Sequence, residues 1–394
     1  MKILTTNSAG NDLFGGIHIR KTQQVKYSPD CIFHMLELNH EKKYVSQDNL
    51  NIHKINTLER IGGESILGVL DDNPLNYKVF NERLELIVND FQNVIRVTDP
   101  DIISVPGTSL PPYCLYKAAR REQMLDRTII EYAGVIEKEI GNYTGDQRVI
   151  LADMGKEFVS EIARDNVTYL FPSQSCKDEV ERIHGVKLDN SHVVWNGISS
   201  DFIEGGYCRK VPENESLGYV GRVHHVKNLP FFLGLNENIK EDIGLKIITD
   251  ISSAAKKATG SSLLKKMSNG EVFFYHPRSQ VELAKFYSKE LSAGVVSSFF
   301  ETYCNGAVES LVCGTPTLLS DRSGAKEVYE EYGLKDLVFS IDNIRSFKDS
   351  LDYARGIEFI IPEDLSKQLY SDLNWEKVIG KYNNIFEEVR GTSR

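Results

Sequence analysis

Short apolar runs of strand length alternate with helix-period stretches along most of the chain. The runs at 1–6, 102–105, 128–132, 167–171, 217–220, 245–249, 294–298 and 317–320 are rich in Ile, Val and Leu. They are close to continuously apolar rather than alternating, as strands buried on both faces of a parallel sheet require. Helical patterns intervene at 17–25, 174–183 and 375–389, and in the last of these Val378, Tyr382 and Ile385 fall on one side. Such alternation predicts an α/β chain of parallel strands and crossover helices. The clearest break in composition, 204–216, is rich in Gly, Lys, Glu, Asn and Pro and runs straight into a new strand. It is read as a linker, giving domains at 1–204 and 205–375 and a helix at 376–394 that packs back on the first.

A chain of 394 residues with 41% hydrophobic content is long enough for two packed cores. Its net charge of -10 argues against a nucleic-acid partner, since nonspecific affinity for a polyanion needs a positive field. Any phosphate must therefore be held locally. No apolar run approaches the roughly 20 residues that span a bilayer, so a soluble, unsecreted, cytoplasmic protein is expected. Six scattered cysteines with no C-x-x-C spacing suggest reduced thiols and neither a disulfide framework nor a zinc site.

The segment with most chemical content is Ser297-Ser298-Phe299-Phe300-Glu301-Thr302-Tyr303-Cys304-Asn305-Gly306-Ala307-Val308-Glu309. A buried strand enters it, and Asn305-Gly306 opens a helix that Gly314 and Pro316 stop. Amides at such a strand-to-helix junction can bind phosphate oxygens. Glu301 and Glu309 lie on either side of the junction, and a carboxylate can hold a vicinal diol, one a sugar and the other a ribose. A second segment, Gly221-Arg222-Val223-His224-His225-Val226-Lys227-Asn228, follows another strand. Arg222 and Lys227 there suit a diphosphate, although a solvated surface pair reads the same way. The adjacent histidines lack a metal-binding partner nearby.

Other segments are weaker. The loop 7–16, with Gly15 and Gly16, could approach an anion or a sugar, or be a surface turn. Asp99-Pro100-Asp101 offers two carboxylates for a metal but reads better as a turn. Ser173 is placed to cap the helix after it, and Trp195-Asn196-Gly197 is a turn. Lys117, Arg120 and Arg121 would suit an anionic lipid carrier or form a solvated helix face.

Taken together these motifs resemble the family-4 retaining glycosyltransferases. They are Gly-Tyr-Val-Gly-Arg-x4-Lys-Asn from Gly218, the E-x7-E of Glu301 and Glu309, Cys313-Gly314-Thr315-Pro316, and 320–328. Phe171-Pro172-Ser173 and Trp195-Asn196-Gly197-Ile198 are similar to further turns of that family, as is the Gly15-Gly16 loop. The resemblance implies the GT-B architecture, two Rossmann-like domains with parallel sheets facing a central cleft. It implies transfer of a hexosyl group from a nucleotide diphosphate sugar, UDP foremost, to a glycan, lipid-linked or other acceptor, without metal or other cofactor.

In that scheme Arg222 and Lys227 bind the diphosphate, Glu309 the ribose and Glu301 the donor sugar. Gly16, Gly221 and the backbone of Cys304, Asn305 and Gly306 line the donor. The family often has Gly at the position of Cys304, and histidines at those of Ala133 and of Pro106 or Gly107. A second reading is therefore a nonenzymatic binding subunit of the same fold that stabilises a partner transferase. A third is an epimerase or phosphorylase. Peripheral contact with the inner face of a membrane is a further expectation.

Overall fold

The computed structural model describes residues 1–6, 16–37, 48–54, 77–140, 145–204, 207–221, 224–241, 243–249, 272–275 and 279–392. They form two compact units, Met1–Trp195 with Val378–Arg394, and Asn196–Lys377. The chain changes unit at 195/196 and 377/378, whereas the sequence reading places the junctions at 204/205 and 375/376, and the segment read as a linker lies within the second unit.

The first unit is built on a seven-stranded parallel sheet of β1 (Lys2–Thr6), β2 (Ile32–Glu37), β3 (Leu50–Lys54), β4 (Ile102–Pro106), β5 (Thr128–Glu131), β6 (Thr168–Phe171) and β7 (Ser191–Val193). Their order is β3-β2-β1-β4-β5-β6-β7. The second unit holds a six-stranded parallel sheet of β8 (Ser216–Val220), β9 (Gly244–Ile248), β10 (Val272–Tyr275), β11 (Ala293–Val296), β12 (Thr317–Ser320) and β13 (Val338–Phe339). Its order, β10-β9-β8-β11-β12-β13, is the doubly wound dinucleotide-binding order.

All eight strands expected from apolar runs are present, each within two residues of its expected bounds. Central strands such as β4, β5, β6 and β12 are buried along their whole length, which is why their sequences carry no polar face. The strands not anticipated include the edge strands β3, β7, β10 and β13 and the strand β2 beside an edge. Residues such as His34, Asn51, His53 and His192 interrupt the apolar signal of β2, β3 and β7, and β13 has only two residues. Nδ1 of His34 and Nε2 of His53 lie 2.8 Å apart across β2 and β3.

A buried cluster of charges joins helix Gly16–Tyr27 to the ends of β4 and β5. Lys21 Nζ donates to Ser104 Oγ at 2.5 Å and to Glu131 Oε1 at 2.6 Å, and Ser104 Oγ donates to Glu131 in turn. Arg20 stands 3.9 Å from the other Glu131 oxygen. Lys21 and Glu131 are 4% and 1% exposed, so each charge depends on the other. Burial opposes ionisation of Glu131, but the positive charges of Lys21 and Arg20 outweigh it and hold the carboxyl below its ordinary range. Burial lowers Lys21, against the pull of Glu131.

Helix Trp375–Thr392 lays its C-terminal part in the first unit. Its Tyr382 ring lies 5.9 Å from the Arg20 guanidinium, and Asn383 Oδ1 accepts from Ser28 Oγ at 2.8 Å. Asp99 takes a left-handed φ of 42°, and Asp101 Oδ2 accepts the Lys2 amide at 2.8 Å, so Asp99-Pro100-Asp101 is a turn locked to β1. Lys117 pairs with Glu157 and Glu161, Arg120 with Glu161 and Asp165, and Arg121 with Glu85. The charges of this basic trio are matched within the unit. No described helix is long and apolar enough to cross a membrane.

In the second unit, the polar segment after residue 206 packs closely. Arg209 donates to the carbonyls of Leu291 at 2.7 Å, Ser292 at 2.8 Å and Phe359 at 2.7 Å, and Tyr207 Oη donates to Ile361 O at 2.7 Å. Residues that read as linker-like are there because carbonyl groups at helix and strand ends need donors.

Replacing Glu131 by Gln should destabilise the protein by about 3–5 kcal/mol, because Lys21 is left as an uncompensated buried charge. The double variant Lys21→Met with Glu131→Leu should recover most of that loss in urea unfolding; equal destabilisation of both variants would show that the pair's electrostatics is not what matters.

Candidate functional site

In the second sheet, β8 has β9 on one side and β11 on the other, so the direction of strand progression reverses between β8 and β11. The C-terminal ends of two such strands, with the loops that leave them, are the usual binding place of such sheets. Both chemically rich segments of the sequence are those loops.

Gly221, the residue after β8, has φ 152°, a conformation open to glycine and strained for other residues. Arg222 and Val223 lie outside the described residues. A 3-10 turn, His225–Lys227, follows, with His224 Nδ1 accepting from the Val226 amide at 3.3 Å. His224 thus has a capping role. From β11, Ser297 Oγ donates to the Lys227 and Asn228 carbonyls, both at 3.1 Å, and the Phe299 amide donates to Val226 O at 2.7 Å. These bonds lace the two loops together.

The lacing brings Lys227 to Glu301. Lys227 Nζ and Ser298 Oγ (2.7 Å) both donate to Glu301 Oε1. The carboxylate and ammonium are 12% and 21% exposed, so the pair is shielded but reachable from solvent. Glu301 is held from behind by main-chain bonds. Its amide donates to Arg322 O at 3.2 Å and its carbonyl accepts from Gly324 at 3.0 Å. Tyr303 O accepts from the Ala325 amide at 2.7 Å and from Ser323 Oγ at 2.8 Å, and Ser320 Oγ donates to Ser298 O at 2.8 Å. The 320–325 segment is therefore a brace for the Glu301 loop.

Cys304 precedes helix Asn305–Val312 with φ 93° and ψ 76° and makes no side-chain cap. This left-handed geometry is natural for glycine and strained for cysteine. Burial pushes the Cys304 thiol up to about 12, so it stays protonated. Asn305 Oδ1 accepts from Asn196 Nδ2 at 2.8 Å, fixing the first helical side chain. A Cβ on Gly306 would lie 3.2 Å from Tyr287 Oη, so glycine keeps that spot open beside a buried hydroxyl. Tyr287 Oη and Tyr303 Oη have no hydrogen-bond partner among the described residues. Burial raises the carboxyl of Glu309, one turn into the helix, to about 8.

A cation, two carboxylates and the start of a helix thus lie together beyond the ends of β8 and β11, a set suited to a ligand with both phosphate and hydroxyl groups. Likenesses to known proteins bear on it. Residues 209–367 match the family described as Glycosyl transferases group 1. Across nearly the whole chain, the solved sucrose-phosphate synthase from Thermosynechococcus elongatus superposes with a TM-score of 0.74 at 13% identity, covering 99% of both chains.

The fold is GT-B. The E. coli trehalose-6-phosphate protein bound with UDP-2-fluoro glucose also shares it, with a TM-score of 0.65, 11% identity and coverage of 98% and 99%. In sequence the chain is 23% identical over 260 residues to an uncharacterised glycosyltransferase of Methanocaldococcus jannaschii. That alignment takes in 63% of this chain and 65% of the archaeal one, just under two thirds of its length.

In this GT-B chain, Lys227, Glu301, Cys304, Asn305, Gly306 and Glu309 sit on the two laced loops and the helix they lead into, and Gly221 directly follows β8. Gly16, the remaining expected donor contact, begins a helix of the first unit. Pro106 is the last residue of β4, and Ala133 lies two residues beyond β5. Three positions that shape the site were not singled out as site residues: Ser298 and Ser320, which hold Glu301 and its loop, and Asn196, which holds Asn305. The spacing of Ser298 from Glu301 was in the sequence, but the partnership of Asn196 with Asn305 spans 109 positions and has no local signal.

Replacing Cys304 by Gly should raise stability by about 1 kcal/mol through relief of backbone strain, read as a higher melting temperature; a fall would show that the thiol's packing outweighs the strain. The raised carboxyl of Glu309 has a pH signature. Between the ordinary value of 4.5 and about 8 the folded chain keeps a proton that the unfolded chain releases. Its contribution is therefore fully favourable below 4.5 and is lost as pH rises through 8. Glu309→Gln should gain on the wild type from pH 5 to 8.5 by on the order of 2 kcal/mol, less than full burial would give because the side chain retains solvent access. Parallel pH profiles would remove the assignment.

Proposed function

We propose that this protein transfers a hexosyl group from a nucleoside diphosphate sugar to a glycan, lipid-linked or other acceptor, with retention of configuration. The observation that carries this reading is the Lys227–Glu301 pair, set beside the helix start at Cys304, Asn305 and Gly306 where the second sheet reverses. Arg222 and Lys227 take the diphosphate, the helix-start amides add donors to it, Glu301 accepts from sugar hydroxyls and Glu309 from the ribose. UDP is the proposed carrier, supported by the structural neighbour that is bound with UDP-2-fluoro glucose.

As the anomeric C–O bond breaks, negative charge grows on the departing diphosphate. Cations and fixed amides aimed at it then stabilise the transition state more than the ground state. In this proposal Arg222 and Lys227 supply the positive charge that a metal clamp supplies elsewhere. Glu301 already accepts from Lys227 and Ser298, which casts it as a holder of hydroxyl groups rather than a nucleophile. The acceptor then attacks from the face the diphosphate leaves, and its proton passes to the leaving phosphate.

UDP, among UDP, GDP, ADP, CDP and dTDP, should raise the melting temperature, and Arg222→Ala and Lys227→Ala should abolish the shift. Each variant should lower transfer by about 10²–10³-fold, the usual cost of losing one charge-stabilising donor, and NMR of the product should show the donor's anomeric configuration. Wild-type turnover in either variant would overturn the electrostatic role. No stabilisation by any nucleotide would favour a nonenzymatic subunit, and an inverted product would overturn retention.

A further inference from the structure

Within the second unit lies a cavity of about 400 Å³ that no part of the proposed sugar transfer uses. Phe202, Ile203, Val281, Ala284, Val312 and Tyr370 supply most of its apolar lining. These residues come from the turn Ser200–Phe202 and the residue after it, helix Gln280–Glu290, the end of helix Asn305–Val312 and helix Glu363–Leu373. Helix Asn305–Val312 starts at the donor loop and finishes at this cavity, so about 12 Å of helix separates the two. The volume is in the range that encloses a small-molecule ligand.

Its charged residues are markedly asymmetric. Lys285, Lys289 and Lys367 belong to the lining, whereas its one acidic residue, Asp201, accepts a hydrogen bond from Ser199 Oγ at 2.9 Å. Lys367 pairs with Glu363 at 2.7 Å. Lys285 and Lys289 are exposed, stand four apart on one helix face, and have no ion pair among the described residues. In a chain of net charge -10, two unneutralised ammonium groups beside an apolar hole form a local exception.

The geometry points to a binding site for a medium-chain fatty carboxylate, its tail in the cavity and its head between Lys285 and Lys289. A wholly apolar ligand would leave the lysines unused, and a sugar phosphate would set hydroxyl groups against Phe202, Val281 and Val312, where they would lack partners. The lysine stems can lie along the apolar wall while their charges meet the carboxylate in water. This site is independent of the donor reading, since it needs neither Lys227 nor Glu301.

Cys208 lines the cavity and is exposed, so its alkylation reports occupancy directly. With the full chain and decanoate below its micellar concentration, iodoacetamide labelling of Cys208, followed by mass spectrometry, should slow at least fivefold. Calorimetry should show saturable one-to-one binding. Lys285→Glu with Lys289→Glu should weaken binding at least tenfold, and Ala284→Trp, which fills the cavity, should abolish it, both with melting temperatures near that of the wild type. Decanol and decyltrimethylammonium should bind at least tenfold more weakly than decanoate. Absence of saturable decanoate binding, unchanged labelling of Cys208, or equal binding by the charge-reversed variant or by the cationic amphiphile would each overturn the proposal. Should Ala284→Trp fail to fold, the charge reversal, on exposed positions, decides alone.

Discussion

One oxygen of Glu301 takes hydrogen bonds from an ammonium and a hydroxyl that come from different loops, and the candidate site is organised around satisfying it. A carboxylate drawn partly out of water must be compensated, and here compensation can come only if the loop after β8 delivers Lys227 while the loop after β11 delivers Ser298. The bonds from Ser297 and Phe299 to the backbone of 226–228 hold those loops in register. Two segments that are 70 or so positions apart in sequence thus behave as one surface. The shared oxygen also means that Lys227 cannot be treated as an independent cation: whatever draws its ammonium toward a ligand also loosens Glu301.

Much of this was legible from residue order because parallel sheets leave a strong trace. Strands buried on both faces are predominantly apolar, as β4, β5, β6 and β12 show. The same reasoning could not see strands with one neighbour. β3, with Asn51, His53 and Lys54, needs only to pair along one side, and its composition is that of a loop. Within the site, Lys227, Glu301 and Glu309 are chemically conspicuous wherever they occur. Asn196 and Ser320 are not; their importance comes from distant pairings and from the backbone atoms they reach.

The segment rich in Gly, Lys, Glu, Asn and Pro shows how composition can mislead about packing. Polar residues suggest solvent, yet Arg209 spends its donors on carbonyls at the ends of packed elements, with burial lowering its guanidinium to about 10. The buried cluster of Lys21, Ser104 and Glu131 makes the related point inside the first unit. In both, removing the one charged group alone would leave buried polar atoms without their partner. Loss of one member is costly even where the net contribution of the whole cluster to stability is small.

The brace behind Glu301 is largely a main-chain device: amides of Glu301, Gly324 and Ala325 and carbonyls of Glu301, Arg322 and Tyr303 carry it. Main-chain bonds are indifferent to side-chain identity. Exchange of the side chains at 322 or 325 therefore leaves these bonds in place, whereas Asn305, bonded to Asn196 through its side chain, and Cys304, at φ 93°, lack that freedom. A frame of this kind fixes Glu301 through atoms that every residue except proline carries.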